Sequence, residues 1–187
     1  MRISGGTARG IPLKVPPGDA VRPATDGMRQ SVFSSLAPRL PGARFSDLFA
    51  GSGSYGLEAL SRGAEFGLFV EKSAKAAACL RANLDAVAKS LGRPPESTGH
   101  LLQMEVMSAP LAGQNLDLVF IDPPYEIILE LGEKLLAKLA TELPRERDPI
   151  LLFEMPGEYE IQNSAWTCFK RLGKGRRQPS VCFYRLT

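Results

Sequence analysis

One histidine, three cysteines and one tryptophan in 187 residues are scarcities that each exclude something. With His100 alone and no Cys/His cluster, the chain offers no ligand set for zinc or a related metal, and no metal site is expected. Cys79, Cys168 and Cys182 are far apart and form no CxxC. An odd number without a framework suits thiols in a reducing cytosol, even for Cys168 and Cys182, which a terminal hairpin could bring face to face. No stretch of eighteen apolar residues is present, so no membrane span is expected. The start, Met1-Arg2-Ile3-Ser4-Gly5-Gly6, lacks the apolar core of a signal peptide, and a cytoplasmic location is expected. Internal repeats are missing too, and the Pro-rich stretches are brief.

What remains is an ordinary globular composition, 44% apolar, at the length of a single domain with a full core. Residues 1–187 are expected to form one domain, with 1–44 as an extension and 45–187 as its core. The net charge of +3 conceals an asymmetry. Residues 1–44 hold seven Lys/Arg against two Asp/Glu, and residues 161–187 hold six against none. The middle, 45–160, has ten basic and eighteen acidic residues. Basic ends around an acidic centre suit a polyanion gripped by the flanks and a neutral or cationic ligand in the middle, although basic tails also serve only as solvated surface.

Arg2 to Val15 has β character broken by glycines and reads as a short hairpin outside the main core. A helix follows, capped by Thr25 or Asp26, with Met28, Val32, Phe33 and Leu36 on one face. From Phe45 onward strands and helices alternate. Strands are expected at 45–50, 66–71, 100–106, 116–122 and 150–154, and helices at 55–62, 75–91 (apolar residues Ala78, Leu80, Leu84, Val87 and Leu91) and 127–139. Residues 167–172 and 180–186 read as a closing hairpin that adds an antiparallel strand at or near one edge. The alternation predicts an α/β fold with a mostly parallel sheet and helices on both faces.

Two motifs carry chemistry. Asp47-Leu-Phe-Ala50-Gly51-Ser52-Gly53-Ser-Tyr-Gly56 lies between a strand and a helix, where glycines let the backbone turn and approach a ligand. Glu71 ends the next strand, twenty residues after Gly51, at the distance where a carboxylate meets ribose hydroxyls. Lys72 adjoins it. This spacing also serves NAD, and a tight packing turn would show the same glycines. Asp47 beside the loop and Glu105 at the third strand end favour a cationic cofactor, S-adenosylmethionine, over a pyrophosphate. Glu105 is placed to meet the adenine amino group. The second motif, Asp122-Pro123-Pro124-Tyr125, follows an apolar strand. Its prolines fix φ and remove N–H donors, leaving carbonyls as acceptors in a stiff frame. Asp122 and the Pro123 carbonyl can accept the two hydrogens of an exocyclic amino group and align its lone pair on a methyl donor. Tyr125 offers a ring on which the base stacks. A rigid loop with a capping Asp is the competing account.

Glycine loop followed by Asp-Pro-Pro-Tyr resembles the Rossmann-like class I methyltransferases that act on amino nitrogens. More narrowly the chain resembles the RsmD family, bacterial enzymes that make N2-methylguanine in small-subunit (16S) ribosomal RNA. The resemblance is carried by Ile3-Ser4-Gly5-Gly6, Arg9-Gly10, Arg22-Pro23-Ala24-Thr25-Asp26, Arg29, Phe33, Asp47 to Gly53, Gly56 to Gly63 and Val119 to Tyr125. It implies that Asp47, Gly51, Gly53 and Glu71 contact the cofactor, and that Asp122 to Tyr125 hold the guanine amino group. In two places the chain departs from the family: Ala24 stands where threonine is common, and Met104-Glu105-Val106 lacks the usual Asn or Asp.

Arg22, Thr25 and Arg29 either line the cleft for RNA or hold the N-terminal segment to the core. Lys174, Arg176 and Arg177, with Lys170 and Arg171, are candidate phosphate contacts or a solvated hairpin tip. Glu58 is expected at the surface or a helix end. The expected partner is ribosomal RNA, naked or assembled in the small subunit, met by a monomer. Competing functions are methylation of adenine-N6 or of protein glutamine, a nicotinamide oxidoreductase, and a non-catalytic RNA-binding assembly factor.

Overall fold

Five apolar runs become parallel strands: Arg44–Leu48 (β1), Phe66–Val70 (β2), Gly99–Leu102 (β3), Leu118–Ile121 (β4) and Ile150–Pro156 (β5). The computed structural model describes residues 1–16, 26–173, 175–176 and 178–187. Arg22, Thr25, Lys174 and Arg177, and the helix cap expected from Thr25 or the Asp26 side chain, lie outside the described residues. β4 and β5 are buried along their whole length, which requires cover on both faces and accounts for a sequence that is apolar throughout except at Glu154.

Two further strands, Trp166–Leu172 (β6) and Pro179–Leu186 (β7), complete a seven-stranded sheet in the order β3-β2-β1-β4-β5-β7-β6. The closing hairpin is thus inserted as a pair. β7 runs antiparallel between β5 and β6, and β6 forms the exposed edge with a register shift between Cys168 and Lys170. An edge strand carrying Lys170 and Arg171 and an irregular register resists pairing with another chain.

Helices Asp26–Leu36 (α1), Ser54–Ser61 (α2) and Ala74–Ser90 (α3) cover one face of the sheet. Phe33, Leu57, Leu60, Leu80 and Leu84 meet Phe45, Phe69 and Phe120 there. A single turn, Pro95–Thr98 (α4), stands where only a loop was expected, begun by a proline whose missing N–H costs nothing at a helix start. Ile128–Glu142 (α5) and the segment from Val106 to Leu116 cover the opposite face. On α3 the buried stripe is Ala76, Ala77, Leu80, Leu84, Val87 and Ala88, whereas Ala78 is exposed. The third strand stops at Leu102, short of the expected Val106, which instead opens a 3-10 turn.

The N-terminal segment differs most from expectation. Its hairpin reduces to one bridge, Arg2 to Pro12, and it does not stand apart: Ile3, Ala8 and Leu13 are buried in the α1–α3 core. The docking is against α2. Thr7 N–H donates to the Ser61 carbonyl at 2.8 Å, and Ala8 N–H to Ser61 Oγ at 2.9 Å. Gly6 has a φ of 78°, and a Cβ there would collide with the Ser61 carbonyl. Only glycine permits that approach.

Candidate active site at the switch point of the sheet

Chain order reverses between β1 and β4, so the loops leaving them diverge and open a crevice at their carboxyl ends, where open α/β sheets bind ligands. A cavity of about 820 Å³ occupies this place. Its walls are Phe49 to Ser52 with Ser54, Val70 to Ser73, Met104 to Val106, Asp122 to Ile127, and Glu154, while Met1, Val15 and Pro16 close one side.

β1 ends two residues before its apolar run does, because Phe49 adopts φ 65°, a conformation uncommon for a bulky residue, and turns the chain into the glycine loop. Gly51 follows with φ 55°, and a Cβ on it would meet no protein atom nearer than 4.0 Å, so the space beside it belongs to the cavity. Glu71 anchors the loop: Oε2 accepts from Gly51 N–H at 2.8 Å and Oε1 from Ser73 N–H at 2.6 Å. A carboxylate has about four acceptor directions, so two remain for hydroxyl donors. From the other side Asn83, buried on α3, donates to the Ser52 and Lys14 carbonyls, both at 2.9 Å, and accepts from Lys14 N–H at 2.8 Å. That amide ties glycine loop, helix and N-terminal segment into one unit.

Asp47 is not on the cavity wall. It lies buried beneath the loop and accepts from Gly56 N–H at 2.8 Å, fastening the start of α2. Burial pushes its carboxyl up to about 8, against the lowering effect of the Gly56 hydrogen bond and with help from Glu71. The sequence suggested Asp47 as a charged partner for a cationic cofactor; in this structure it lies beneath the loop and supports it. Gly53, expected at the cofactor, is likewise packed against Leu57 and Leu80 and is not on the wall. Lys72 and Glu105 are on the wall but pair with each other at 3.4 Å, both more than half exposed, an arrangement of little energetic weight.

Asp122 opens onto the same cavity from the end of β4. Burial, then Glu154, then Asp47, push its carboxyl well above the usual range. Pro123 and Pro124 hold the chain extended, with Pro124 at φ −53° and ψ 135°, and Tyr125 begins a 3-10 turn with its ring 37% exposed at the cavity mouth. Glu154, at 3% exposure, completes the wall beside Asp122. Its Oε2 accepts from the Tyr55 hydroxyl at 2.7 Å. The cavity thus joins a backbone cradle with a hydroxyl acceptor on one side to a rigid acceptor group with an aromatic ring on the other.

The family described as conserved hypothetical protein 95 matches residues 1–184. Bacillus subtilis YlbH is 33% identical over 162 residues, 86% of this chain and 85% of that one. The ribosomal RNA small subunit methyltransferase D of Escherichia coli K12 is 36% identical over 126 residues, 67% of this chain and 60% of that one. The chain belongs to the RsmD family. The solved structure of Escherichia coli YhhF superposes with a TM-score of 0.81 at 27% identity, covering 100% of this chain and 97% of that one. An RNA methyltransferase from Salinibacter ruber, solved in complex with S-adenosyl-L-homocysteine, shares the fold with a TM-score of 0.64 at 14% identity, over 88% of this chain and 93% of that one. The Rossmann-like class I methyltransferase fold expected from the sequence is the one observed.

In this RsmD-family chain two charged residues lie in the interior. Arg29 is 1% exposed, donates to the Arg2 carbonyl at 2.8 Å and lies 3.7 Å from Glu58, so its guanidinium is inside the protein and does not present itself to RNA. Glu58, expected at the surface or a helix end, is fully buried in α2. It accepts from Ser4 N–H at 2.8 Å and Ser4 Oγ at 2.7 Å, and pairs with Arg62 at 2.8 Å. Both hold the N-terminal segment on the core. Arg176 is exposed in the β6–β7 turn. That turn adjoins Pro156, which pairs with Pro179, so it lies at the same edge of the sheet as the cavity. Glu154, Tyr55 and Asn83 were not recognised from the sequence. Glu154 had a readable signal, an acid ending the expected strand 150–154, as Glu71 and Asp122 end theirs. The other two had none, being a tyrosine and an amide inside ordinary helical patterns. Among the described residues no three His, Cys, Asp or Glu are grouped to hold a metal ion, and no helix is long and apolar enough to cross a membrane.

Proposed function

We propose that this chain transfers a methyl group from S-adenosylmethionine to the exocyclic N2 amino group of a guanine in small-subunit ribosomal RNA, acting as a monomer in the cytoplasm. The observation that carries this reading is that one cavity holds both the glycine loop with Glu71 and the Asp122–Tyr125 segment. Cofactor and target amino group can therefore meet in one cavity. Support for the class of substrate comes from the Escherichia coli relative, named for small-subunit ribosomal RNA. Support for the cofactor comes from the Salinibacter ruber structure, which has the demethylated product bound in the same fold.

The open space beside Gly51 fits a ligand lying against the loop, and Glu71 has acceptor directions left for ribose hydroxyls. Ala50, Ser52 and Lys72 flank that position, and Glu105 stands where the adenine edge would lie. When bound, the cofactor supplies an electrophilic methyl group on a cationic sulfur. Asp122 and the Pro123 carbonyl accept the amino hydrogens, which turns the nitrogen lone pair out of the ring plane and toward the methyl carbon. Tyr125 stacks on the base and fixes its height in the cleft. Arg176 contacts phosphate, and Lys174 and Arg177 are assigned the same role from the sequence.

Transfer of labelled methyl to assembled small subunits, naked ribosomal RNA, DNA and protein, followed by nucleoside analysis, tests the reading. N2-methylguanosine in small-subunit RNA is expected. Label in N6-methyladenosine or in protein instead would overturn the assignment of substrate, and tight NAD binding without S-adenosylmethionine binding would overturn the cofactor.

A further inference from the structure

Glu154 belongs to neither motif, yet it shares the cavity wall with Asp122. Ile121 of β4 is in register with Phe153 of β5, so the next residues outward, Asp122 and Glu154, are neighbours on the same face of the sheet. Glu154 is fixed from behind: the Tyr55 hydroxyl donates to Oε2 at 2.7 Å, and the Tyr55 ring stacks on Phe120 at 5.6 Å and 18°. Among the described residues no protein group donates to the other oxygen, Oε1. On β7 the residue opposite Glu154 is Val181, whose side chain has no donor. An enclosed carboxylate with a single donor leaves most of its acceptor directions unmet, and the cavity is where a second donor can arrive.

Adenine, cytosine and guanine each carry an exocyclic amino group, and they differ at the ring nitrogen beside it. In adenine and cytosine that nitrogen is a bare acceptor, whose lone pair would face a carboxylate. In guanine, the N1 beside the amino group carries a hydrogen. With the amino hydrogens on Asp122 and the Pro123 carbonyl, guanine N1–H comes next along the same edge of the base, toward the neighbouring carboxyl. We infer that Glu154, held by Tyr55, accepts this N1–H through Oε1 and so selects guanine among the amino-bearing bases. This rests on the reading of Asp122 as the group that holds the amino nitrogen. The contact also accounts for an acid in this place. Burial raises the Glu154 carboxyl and opposes its charge, and a second donor arriving with the base favours that charge. A glutamine could turn its amide to suit either a donor or an acceptor, whereas a carboxylate rejects an acceptor.

The test pairs a change in the base with a change in Glu154, using the full-length protein and reconstituted small subunits. The guanine that wild type methylates is mapped first. It is then replaced by 2-aminopurine, which keeps the amino group but has an acceptor at N1, or by 6-thioguanine, which keeps N1–H and alters only the O6 position. In single-turnover transfer at saturating S-adenosylmethionine, wild type is expected to methylate 6-thioguanine within several-fold of guanine, and 2-aminopurine about a hundredfold or more slowly. Glu154→Gln is expected to lose several-fold on guanine and to shrink the ratio of guanine to 2-aminopurine to within about tenfold, with calorimetric S-adenosylmethionine binding unchanged. The wild-type comparison stands by itself should Glu154→Gln fold poorly. While N2-methylguanosine still forms, equal wild-type rates on guanine and 2-aminopurine, equal slowing by both analogues, or an undiminished ratio in a folded Glu154→Gln would overturn the role of Glu154 alone. No N2-methylguanosine in small-subunit RNA would instead overturn the proposed reaction, and this role with it.

Discussion

Replacing Asp122 by alanine removes one acceptor from the cavity wall while leaving Pro123, Pro124, Tyr125 and the cofactor cradle untouched. A preorganised hydrogen-bond group of this kind is worth about 3–4 kcal/mol in the transition state, or roughly a hundredfold to a thousandfold in rate. Folding should not suffer. The carboxyl is raised by burial, Glu154 and Asp47, so its ionisation opposes the folded state as pH rises above the ordinary carboxylate range, and removing it relieves that opposition. The melting temperature of Asp122→Ala at pH 7–8 is therefore expected to equal or exceed that of wild type. Asp122→Asn, which keeps one acceptor oxygen, should retain more activity than alanine. Tyr125→Phe should be mild and Tyr125→Ala severe, since stacking needs the ring alone. The assay is single-turnover transfer with calorimetric cofactor binding measured on each variant. A folded Asp122→Ala that binds cofactor and methylates at the wild-type rate would reduce Asp-Pro-Pro-Tyr to a stiff loop.

Glu71→Ala should weaken S-adenosylmethionine binding by roughly 1–3 kcal/mol, from lost hydroxyl acceptors and a loosened Gly51; unchanged calorimetric affinity would place the ribose elsewhere. Asp47→Asn should flatten the fall in stability between about pH 4 and pH 8, because a carboxyl raised to about 8 favours the folded state below its unfolded value and loses that contribution as pH rises through its folded value. Thermal melts across this range would read it, and an unaltered slope would place the titration on another group. Arg29→Met should cost about 1–3 kcal/mol in urea unfolding, by removing the donor to the Arg2 carbonyl and leaving Glu58 to Arg62 and Ser4, and a stable variant with weakened RNA binding would return Arg29 to the RNA surface. Arg176→Ala should reduce the slope of log affinity against log salt by about 0.7–0.9 if the side chain meets a phosphate, and an unchanged slope would make it solvated surface.

The fold and the two motifs were legible because each depends on local pattern. Apolar runs of four to seven residues separated by helical periodicity require a parallel sheet with two covered faces. A glycine loop after the first strand and Asp-Pro-Pro-Tyr after the fourth must then open at the same sheet edge, since parallel strands all end on one side. Family membership was legible for a similar reason, through short stretches such as Ile3-Ser4-Gly5-Gly6 and Val119 to Tyr125 that stay together in the chain. Where residues acted through distant partners, the pattern was silent. Arg29 reads as one more basic residue in a basic segment, and only its enclosure with Glu58, twenty-nine positions away, makes it structural. Asp47 reads as a charge beside a loop, and only its burial, which pushes its carboxyl up to about 8, sets it apart from a solvated acid. Glu154 and Tyr55 are ninety-nine residues apart and 2.7 Å from each other. The sequence alone determined which backbone elements form and which edge of the sheet bears the chemistry, because hydrophobic period and turn residues act over a few positions. Tertiary structure decided which acids and bases are inside, because the free energy of a charge depends on what surrounds it in space, and neighbours along the chain do not set that.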